Sequence, residues 1–394
     1  SKSKKAAREA ARLDLVRFYL SNGYHAEALA ILREAARTRP EIEQNPEYRM
    51  LRGGSKFMLG RYVEADKDFV HDDLRFNDEV AFWRASTRAA VGDITAAAPV
   101  LKRTGQIIRP YPNALKIPMG QLIIDAALKV GDIKQARYFL EILRLDTLSP
   151  EETSQLDYEE GRALELSGDF DAAVAMWETV RDGPHRPSQA KAVVARMELL
   201  TKRKQIPRIE AIRDLEGVRF GWRGDNFEFK LLRRLGTLYL EEGLYRKGLD
   251  RLRQAATYFR THPEAPQVTL QMSDAFSAMY LDDAADALPP VTAIALYDEF
   301  KELTPAGVQG DEMIRKLADR LVGVDLLDRA VGLLSSQVRY RLQGVEKARV
   351  GGQLTLVHIL DRNFTAALKV LDETETPNLP EVLALQRLHI RARI

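Results

Sequence analysis

Cysteine does not occur anywhere in the 394 residues of this chain. Its absence excludes disulfide bonds, zinc sites built on thiolates and catalysis by a thiol nucleophile. It also favours a periplasmic location over a cytoplasmic one, because an exported protein without free thiols escapes unwanted oxidation. A cytoplasmic protein can equally lack cysteine, so the location stays open.

An excess of charge of one sign is also missing, and so are long apolar runs. The 59 Lys and Arg residues nearly balance the 57 Asp and Glu residues, which leaves a formal net charge of +2. A dedicated nucleic-acid-binding protein is expected to have a basic field, and this chain has none. No run approaches the roughly 18 apolar residues of a membrane span. We therefore expect neither nucleic-acid binding nor a membrane span in this segment.

Patterns of reactive side chains are missing as well. The six histidines are scattered, and no two are three or four residues apart, the spacing of a helical metal site. The sequence has no Gly-x-Ser-x-Gly elbow, no Walker loop and no zincin motif. The acids between 282 and 286 lack the glycine and terminal glutamate of a calcium loop. We predict that the chain is not an enzyme and needs no metal and no cofactor.

What the sequence does contain is a recurring frame of four positions. A glycine is followed two residues later by a bulky residue, five later by a small residue, and four beyond that by a large apolar residue. Copies begin at Gly23, Gly60, Gly92, Gly131, Gly168 and Gly243. Fainter copies begin at Asp325 and Arg362, and further second helices are predicted near 206–209 and over 289–300. Together these copies predict about ten helical hairpins.

Each position of the frame has a physical role. The glycine ends one helix, because a left-handed backbone carries no side-chain penalty there. The acids Asp93, Asp132 and Asp169 follow such glycines and can cap the next helix. The small residue lets two helices approach closely, and the large residue lies on the same helical face and packs inward.

The frame resembles the tetratricopeptide repeat family, whose 34-residue unit is a helix-turn-helix. The resemblance covers nearly the whole chain and implies an all-α, right-handed solenoid that binds proteins. The repeats here run longer than 34 residues, so we expect long loops between hairpins. The chain also resembles long bacterial repeat proteins of alphaproteobacterial type, rich in Arg and Ala, that have no assigned activity.

Two interruptions divide the array. We predict N-terminal repeats over 1–215, a glycine and aromatic interruption over 216–228, and C-terminal repeats over 229–394 with an irregular, Pro-containing join near 282–292. The first interruption is expected to be a loop that carries Trp222 and Arg223. In one interpretation Trp222 fills a gap between repeats; in the other, both residues contact a partner, because Trp and Arg dominate binding hot spots.

The first helices of such hairpins line a concave wall that can hold a peptide or a helix. Projection of the frame predicts the partner-binding residues Arg17, Phe57, Phe82, Asp125, Tyr158, Arg162, Glu165 and Arg233. The alternative is that these side chains only cover the surface between repeats. Chaperone-adaptor members of the family clamp acidic tails with a Lys and an Asn. Leu13 and Arg17 occupy those places here, so we reject that role.

The leading hypothesis is a non-enzymatic scaffold for one or more protein partners in a bacterial envelope or motility assembly. The rival is a regulatory or substrate-presenting part of a larger enzyme whose catalytic domain lies outside this chain. The rival is kept because the chain starts at Ser1 without Met and ends inside a helical pattern, as a piece of a longer protein would. The sequence does not identify the partner or the oligomeric state.

Overall fold

The computed structural model describes residues 2–70, 77–221, 223–282 and 284–394. These residues form 21 α-helices and no β-strand. The chain divides into two compact units between Gly221 and Trp222. The predicted all-α solenoid of about ten helical hairpins is confirmed.

The first unit contains six consecutive helical hairpins, in each of which an odd-numbered helix packs against the even-numbered helix that follows it. We call these the first and second helix of each hairpin. The helices are α1 (Lys2–Ser21), α2 (His25–Thr38), α3 (Pro46–Met58), α4 (Tyr62–Phe69), α5 (Asp78–Ala90), α6 (Ile94–Thr104), α7 (Asn113–Lys129), α8 (Ile133–Arg144), α9 (Pro150–Leu166), α10 (Phe170–Arg181), α11 (Arg186–Lys202) and α12 (Arg208–Gly221).

The second unit contains four more hairpins and a final single helix. Its helices are α13 (Asn226–Glu241), α14 (Tyr245–Tyr258), α15 (Ala265–Leu281), α16 (Pro290–Phe300), α17 (Val308–Gly323), α18 (Leu327–Tyr340), α19 (Gly344–Leu360), α20 (Phe364–Glu373) and α21 (Glu381–Arg391). The pair α15 and α16 is joined through a 3-10 turn and by a 2.6 Å hydrogen bond from the Tyr280 hydroxyl to the Ala293 carbonyl oxygen.

The small and large positions of the frame form the cores of the hairpins. The small residues at 28, 65, 97, 136 and 173 and the large residues at 32, 69, 101, 140, 177 and 252 are all buried to 1% exposure or less. Gly161 on α9 shows why close approach matters, because a Cβ atom there would lie 2.3 Å from Nε1 of Trp177 on α10. The frame therefore predicted the inward face of the second helices correctly.

The turn position adopts the left-handed conformation that the frame requires. Its glycines have φ between 70° and 100°. Asp325 and Arg362 in the fainter copies adopt the same conformation at φ of 62° and 58°, and so does Lys204, just before the second helix predicted near 206–209, at 58°. A non-glycine residue in this region costs about 1–2 kcal/mol through the close approach of Cβ to the backbone. The fainter copies therefore keep the turn without the residue that suits it best.

Replacing Arg362 with glycine is expected to raise the free energy of unfolding by about 0.5–1 kcal/mol, because it removes this steric cost. The opposite exchange at the same turn position, Gly131→Ala, is expected to lower it by about 1 kcal/mol. Urea unfolding followed by the helical circular dichroism signal measures both. If the free energy of unfolding changed in the same direction in both variants, the two positions would not share a left-handed turn.

The predicted caps are correct at two of three positions. The side chains of Asp93 and Asp132 accept hydrogen bonds from the backbone N–H groups of Ala96 and Gln135. Asp169 makes no such bond, so its predicted cap is wrong. The start of α10 instead carries Asp171 in its first turn, where a negative charge faces the positive end of the helix dipole.

The loop predicted around Gly217 and Gly221 is also wrong. Both glycines lie inside α12, which continues to Gly221, and α13 begins at Asn226. Helical contacts extend α12 through this stretch, since Leu215 is buried and the Arg219 guanidinium lies 2.6 Å from the Glu216 carboxylate one turn away. The interruption predicted over 216–228 from its glycines is therefore too long, because only the stretch between Gly221 and Asn226 separates the two helices.

Candidate partner-binding site

Helix α9 carries three of the predicted site residues on one face. A capping box fixes the start of the helix. The Ser149 hydroxyl accepts a hydrogen bond from the backbone N–H of Glu152, and the Glu152 carboxylate accepts one from the backbone N–H of Ser149. Tyr158, Arg162 and Glu165 follow at intervals of four and three residues, the spacing of one helical face. The helix packs against both α7 and α11, the first helices of the neighbouring hairpins.

Arg162 is the centre of an ion-pair cluster between α7 and α9. Its Nη1 lies 2.8 Å from the Asp125 carboxylate and 2.6 Å from the Glu159 carboxylate. Lys129 adds a second cation, with its Nζ 2.7 Å from Asp125. The structure therefore brings the predicted residues Asp125 and Arg162 together, although 37 positions separate them in sequence.

The pKa values of Asp125 and Glu159 are shifted in opposite directions, because burial raises both and the neighbouring cations outweigh it only at Asp125. Burial acts to raise the pKa of Asp125, but the hydrogen bonds and charges of Lys129 and Arg162 outweigh it and hold the pKa below its usual value. Burial raises the pKa of Glu159 more than the charge of Arg162 lowers it, so this carboxylate gives up its proton less readily than usual. Arg162 itself stays charged throughout the physiological range.

Tyr158 lies half-buried beside this cluster. Its backbone carbonyl oxygen accepts a 3.3 Å hydrogen bond from Nε1 of Trp177, which anchors it to the hairpin core. The Nζ of Lys191 on α11 lies 5.9 Å from the centre of its ring. Burial raises the pKa of the phenol, so it stays protonated at neutral pH. None of the hydrogen bonds among the described residues involves its hydroxyl.

Glu165 extends the same face toward the C-terminal end of α9. Its carboxylate is half-buried, and burial raises its pKa more than the charges of Lys202 and Arg162 lower it. Across α7, α9 and α11 this surface therefore combines a phenol, two basic side chains and three carboxylates. We call Asp125, Tyr158, Glu159, Arg162, Glu165 and Lys191 the α9 cluster.

Several members of this surface were not recognised in the sequence. Glu159 lies three residues before Arg162, the spacing of a helical ion pair, and that spacing was a usable signal. Lys191 and Gln155 had no comparable signal, because their partners lie on neighbouring hairpins. Gln155 hydrogen-bonds to Gln121 of α7, and its Nε2 lies 3.0 Å from Nε2 of His185 at the start of α11.

Phe57 and Phe82 are not available to a partner, so their prediction as binding residues is wrong. Phe82 is completely buried, and Phe57 is 7% exposed with its ring packed edge-on against Trp83 at 5.4 Å between centroids. The reason is that a first helix is covered by its own second helix and by the hairpins on either side. Most of its circumference is therefore core, and only a narrow strip reaches solvent.

The remaining predicted residues lie apart from the α9 cluster. Arg17 is exposed and pairs with Asp14 and with Glu47 of the next hairpin. In the second unit, Arg233 pairs with Glu264. The Arg17–Glu47 and Arg233–Glu264 pairs join neighbouring hairpins and are compatible with the simple covering role as well as with binding. Both residues stay predictions.

The second predicted contact region lies just after α12. Trp222 lies outside the described residues. Arg223 is exposed, and its Nη1 lies 3.4 Å from the carboxylate of Glu228, which also accepts a hydrogen bond from the Gly224 N–H. The nearly buried Glu228 thus closes the turn before α13. A role of Arg223 in partner binding stays a prediction.

Among the described residues, none of the helices combines the length and the apolar character that a bilayer-crossing helix needs. Within the same residues, no group of three or more His, Asp or Glu side chains is arranged to hold a metal ion.

No protein-family model and no curated protein matches this sequence. Solved structures do resemble it. The apo form of the quorum sensor NprR from B. thuringiensis is 10% identical, with a TM-score of 0.55 over 93% of this chain and 98% of that chain. A Rap protein complexed with Competence and Sporulation Factor is 11% identical, with a TM-score of 0.53 over 93% of this chain and 99% of that one.

A tetratricopeptide repeat protein from Parabacteroides merdae ATCC 43184 also resembles this chain. It is 14% identical, with a TM-score of 0.46 over 67% of this chain and 97% of that chain. At such identities the likeness concerns the fold and not the activity. The structures with TM-scores of 0.55 and 0.53 confirm the predicted all-helical repeat fold.

Proposed function

We propose that this chain is a non-enzymatic scaffold that holds a peptide or helix of a protein partner against the α9 cluster. The observation that carries the proposal is the half-buried Tyr158 beside Arg162, whose guanidinium is held in place by two carboxylates. Glu165 lies half-buried on the same helical face. Tyr and Arg are the side chains that most often dominate protein interfaces. Fixed side chains also lose little conformational freedom when a ligand binds.

The similar structures add support by analogy of fold. A Rap protein of this general fold was solved as a complex with Competence and Sporulation Factor. A stacked-hairpin architecture of this kind therefore can accommodate another molecule. A shared fold does not specify the ligand, so we infer the class of partner from the side chains of the α9 cluster.

We further propose that the partner belongs to a bacterial envelope or motility assembly and that the chain acts in the periplasm. The absence of cysteine supports this location. The rival function, a regulatory or substrate-presenting segment of a larger enzyme, predicts instead that the α9 cluster contacts a catalytic domain.

Site-specific photo-cross-linking in the native host tests the proposal. A photoreactive phenylalanine analogue at position 158 is expected to cross-link a distinct protein, which mass spectrometry identifies. The matched control is the same substitution at Tyr138, a more exposed tyrosine on α8 whose hydroxyl already bonds to Gln106. Tyr158→Ala is expected to reduce recovery of that protein at least about tenfold, the loss of a hot-spot side chain, whereas Tyr138→Ala is not.

Cross-linking that is equal at the two positions would contradict a site at the α9 cluster. A cross-link to a catalytic domain of the same polypeptide would favour the rival function. Partners drawn only from the cytoplasm would contradict the proposed location and assembly.

A further inference from the structure

The second unit has an open cleft that the proposed function does not use. It has a volume of about 590 Å³ and lies between the first helices α17 and α19 and the final helix α21. Its lining comes from Arg315 on α17, from 349–356 on α19, and from 383–390 on α21 together with Arg393 just after it. A cleft of this size matches those that hold a peptide segment or a small ligand.

The floor of the cleft is aliphatic. Leu356 from α19 and Leu383 and Ile390 from α21 form it, and Gly352 contributes no side chain, which widens the space between the two helices. At the mouth, Leu385 is 58% exposed. A partly exposed leucine above a buried aliphatic floor is a surface that gains free energy when another apolar side chain covers it.

The rim of the cleft is basic. Arg315, Arg349, Arg387 and Arg393 all line it, and no Asp or Glu is among the lining residues that the structure describes. Arg387 is buried and structural, because its guanidinium donates to the carbonyl oxygens of Ala348 and Leu371. The other three arginines belong to the open part of the rim.

Two of these arginines are available to a ligand. Arg349 is 56% exposed and only loosely paired, with its Nη2 3.4 Å from the Glu346 carboxylate. Arg393 is exposed and has no carboxylate partner in the described ranges. Arg315 is less free, because it is 22% exposed and already pairs with Glu312. A ligand carboxylate thus finds two basic groups at the rim.

We propose that this cleft binds an acidic, amphipathic peptide segment of a protein partner. An apolar side chain of that segment enters the aliphatic floor, and its carboxylates meet Arg349 and Arg393. The cleft chemistry favours a peptide over a nucleic acid. No Phe, Tyr or Trp is among the described residues that line the cleft, so none of these rings can stack on a base there, and the net charge of the chain is only +2.

Fluorescence anisotropy with the full chain tests the proposal. The probe is a labelled synthetic peptide of about 14 residues, with Leu at helical spacing and Glu at the polar positions. We expect it to bind, and we expect the same peptide with Lys in place of Glu, or Ser in place of Leu, to bind at least about tenfold more weakly. An oligothymidylate of similar length is expected not to bind.

Charge-reversal variants locate the binding. Arg349→Glu combined with Arg393→Glu is expected to weaken binding of the acidic peptide roughly tenfold. The matched control combines Lys230→Glu with Arg260→Glu, two exposed basic residues of the second unit outside the cleft, and is expected to leave the affinity unchanged. Leu385→Ser is expected to weaken binding as well. Circular dichroism confirms that the variants keep their helical content.

Three results would overturn the proposal. The first is an affinity that the cleft variants do not change. The second is equal binding of the Lys peptide. The third is tighter binding of the oligothymidylate, which would assign the cleft to nucleic acid. The cleft is independent of the α9 cluster, so Tyr158→Ala is expected to leave peptide binding intact, and failure of one proposal does not decide the other.

Discussion

Replacing Trp177 with alanine is expected to lower the free energy of unfolding by about 3–5 kcal/mol, the usual cost of removing a fully buried tryptophan. Trp177 is completely buried between α9 and α10 and packs with Val180 and with Leu199 of the next hairpin. Gly161 faces it and has no side chain that can fill the space left behind. The loss of the Nε1 hydrogen bond to the Tyr158 carbonyl oxygen adds to the cost.

Urea unfolding monitored by circular dichroism measures this loss. The matched control is Phe220→Ala, which removes an aromatic side chain that is 72% exposed on α12 and is expected to change stability by less than about 0.5 kcal/mol. Because hairpins are stabilised mainly by their neighbours, Trp177→Ala is also expected to make the α9–α10 region unfold before the rest of its unit. A loss below about 1 kcal/mol would contradict the central packing role of Trp177.

Replacing Arg162 with alanine is expected to destabilise the chain by about 2 kcal/mol at pH 7.5. Complete burial of an ion pair would make the cost about 3–5 kcal/mol, and the 22% exposure of Arg162 reduces it. The loss arises because Glu159 stays buried without its nearest cation, while Asp125 retains only Lys129. Both carboxylates then lack part of the compensation for their desolvation.

The size of this loss is expected to depend on pH. Burial already raises the pKa of Glu159 in the folded chain, and removal of Arg162 raises it further. A carboxylate whose folded pKa lies above its unfolded pKa destabilises the folded state at high pH, and this penalty is relieved as the pH falls through the folded value. Arg162→Ala should therefore cost less at pH 5 than at pH 7.5.

Urea unfolding at the two pH values tests this dependence. The control Arg181→Ala removes the solvent-exposed pair with Asp182 and should change stability much less. In the wild-type chain, Asp125 acts in the opposite direction to Glu159. Its pKa is lowered in the folded state, so its contribution is present above the unfolded pKa and is lost as the pH falls. An Arg162→Ala cost that is unchanged or larger at pH 5 would contradict this account, because the cost of losing a cation beside either carboxylate falls as that carboxylate becomes protonated.

Most of the fold was predictable from local patterns. In the hairpin of α7 and α8, Gly131 ends one helix, Asp132 caps the next, and Ala136 and Leu140 form the contact between them. All four lie within ten positions, so their relation is visible in the sequence. The turn at Arg362 was predictable for the same reason, although an arginine occupies the place of the glycine.

The binding surface was less predictable because it depends on contacts between hairpins. Asp125 and Arg162 were both predicted to face a partner, but their direct pairing was not. Phe57 and Phe82 matched the same frame positions and turned out to be buried. A position within one repeat specifies the direction of a side chain, whereas its exposure depends on the neighbouring hairpins that cover it.

The amino-acid sequence by itself therefore determined that this chain forms helical hairpins, where most of the turns lie and which residues fill the hairpin cores. These properties follow from backbone conformation and side-chain size over short stretches of chain. Only the tertiary structure decided which first-helix side chains stay accessible, which charges neutralise each other and where the basic cleft opens. The physical reason is that burial and ion pairing depend on contacts between neighbouring hairpins, whose contacting residues lie about 30 or more positions apart in sequence. A pattern within one repeat does not predict those contacts.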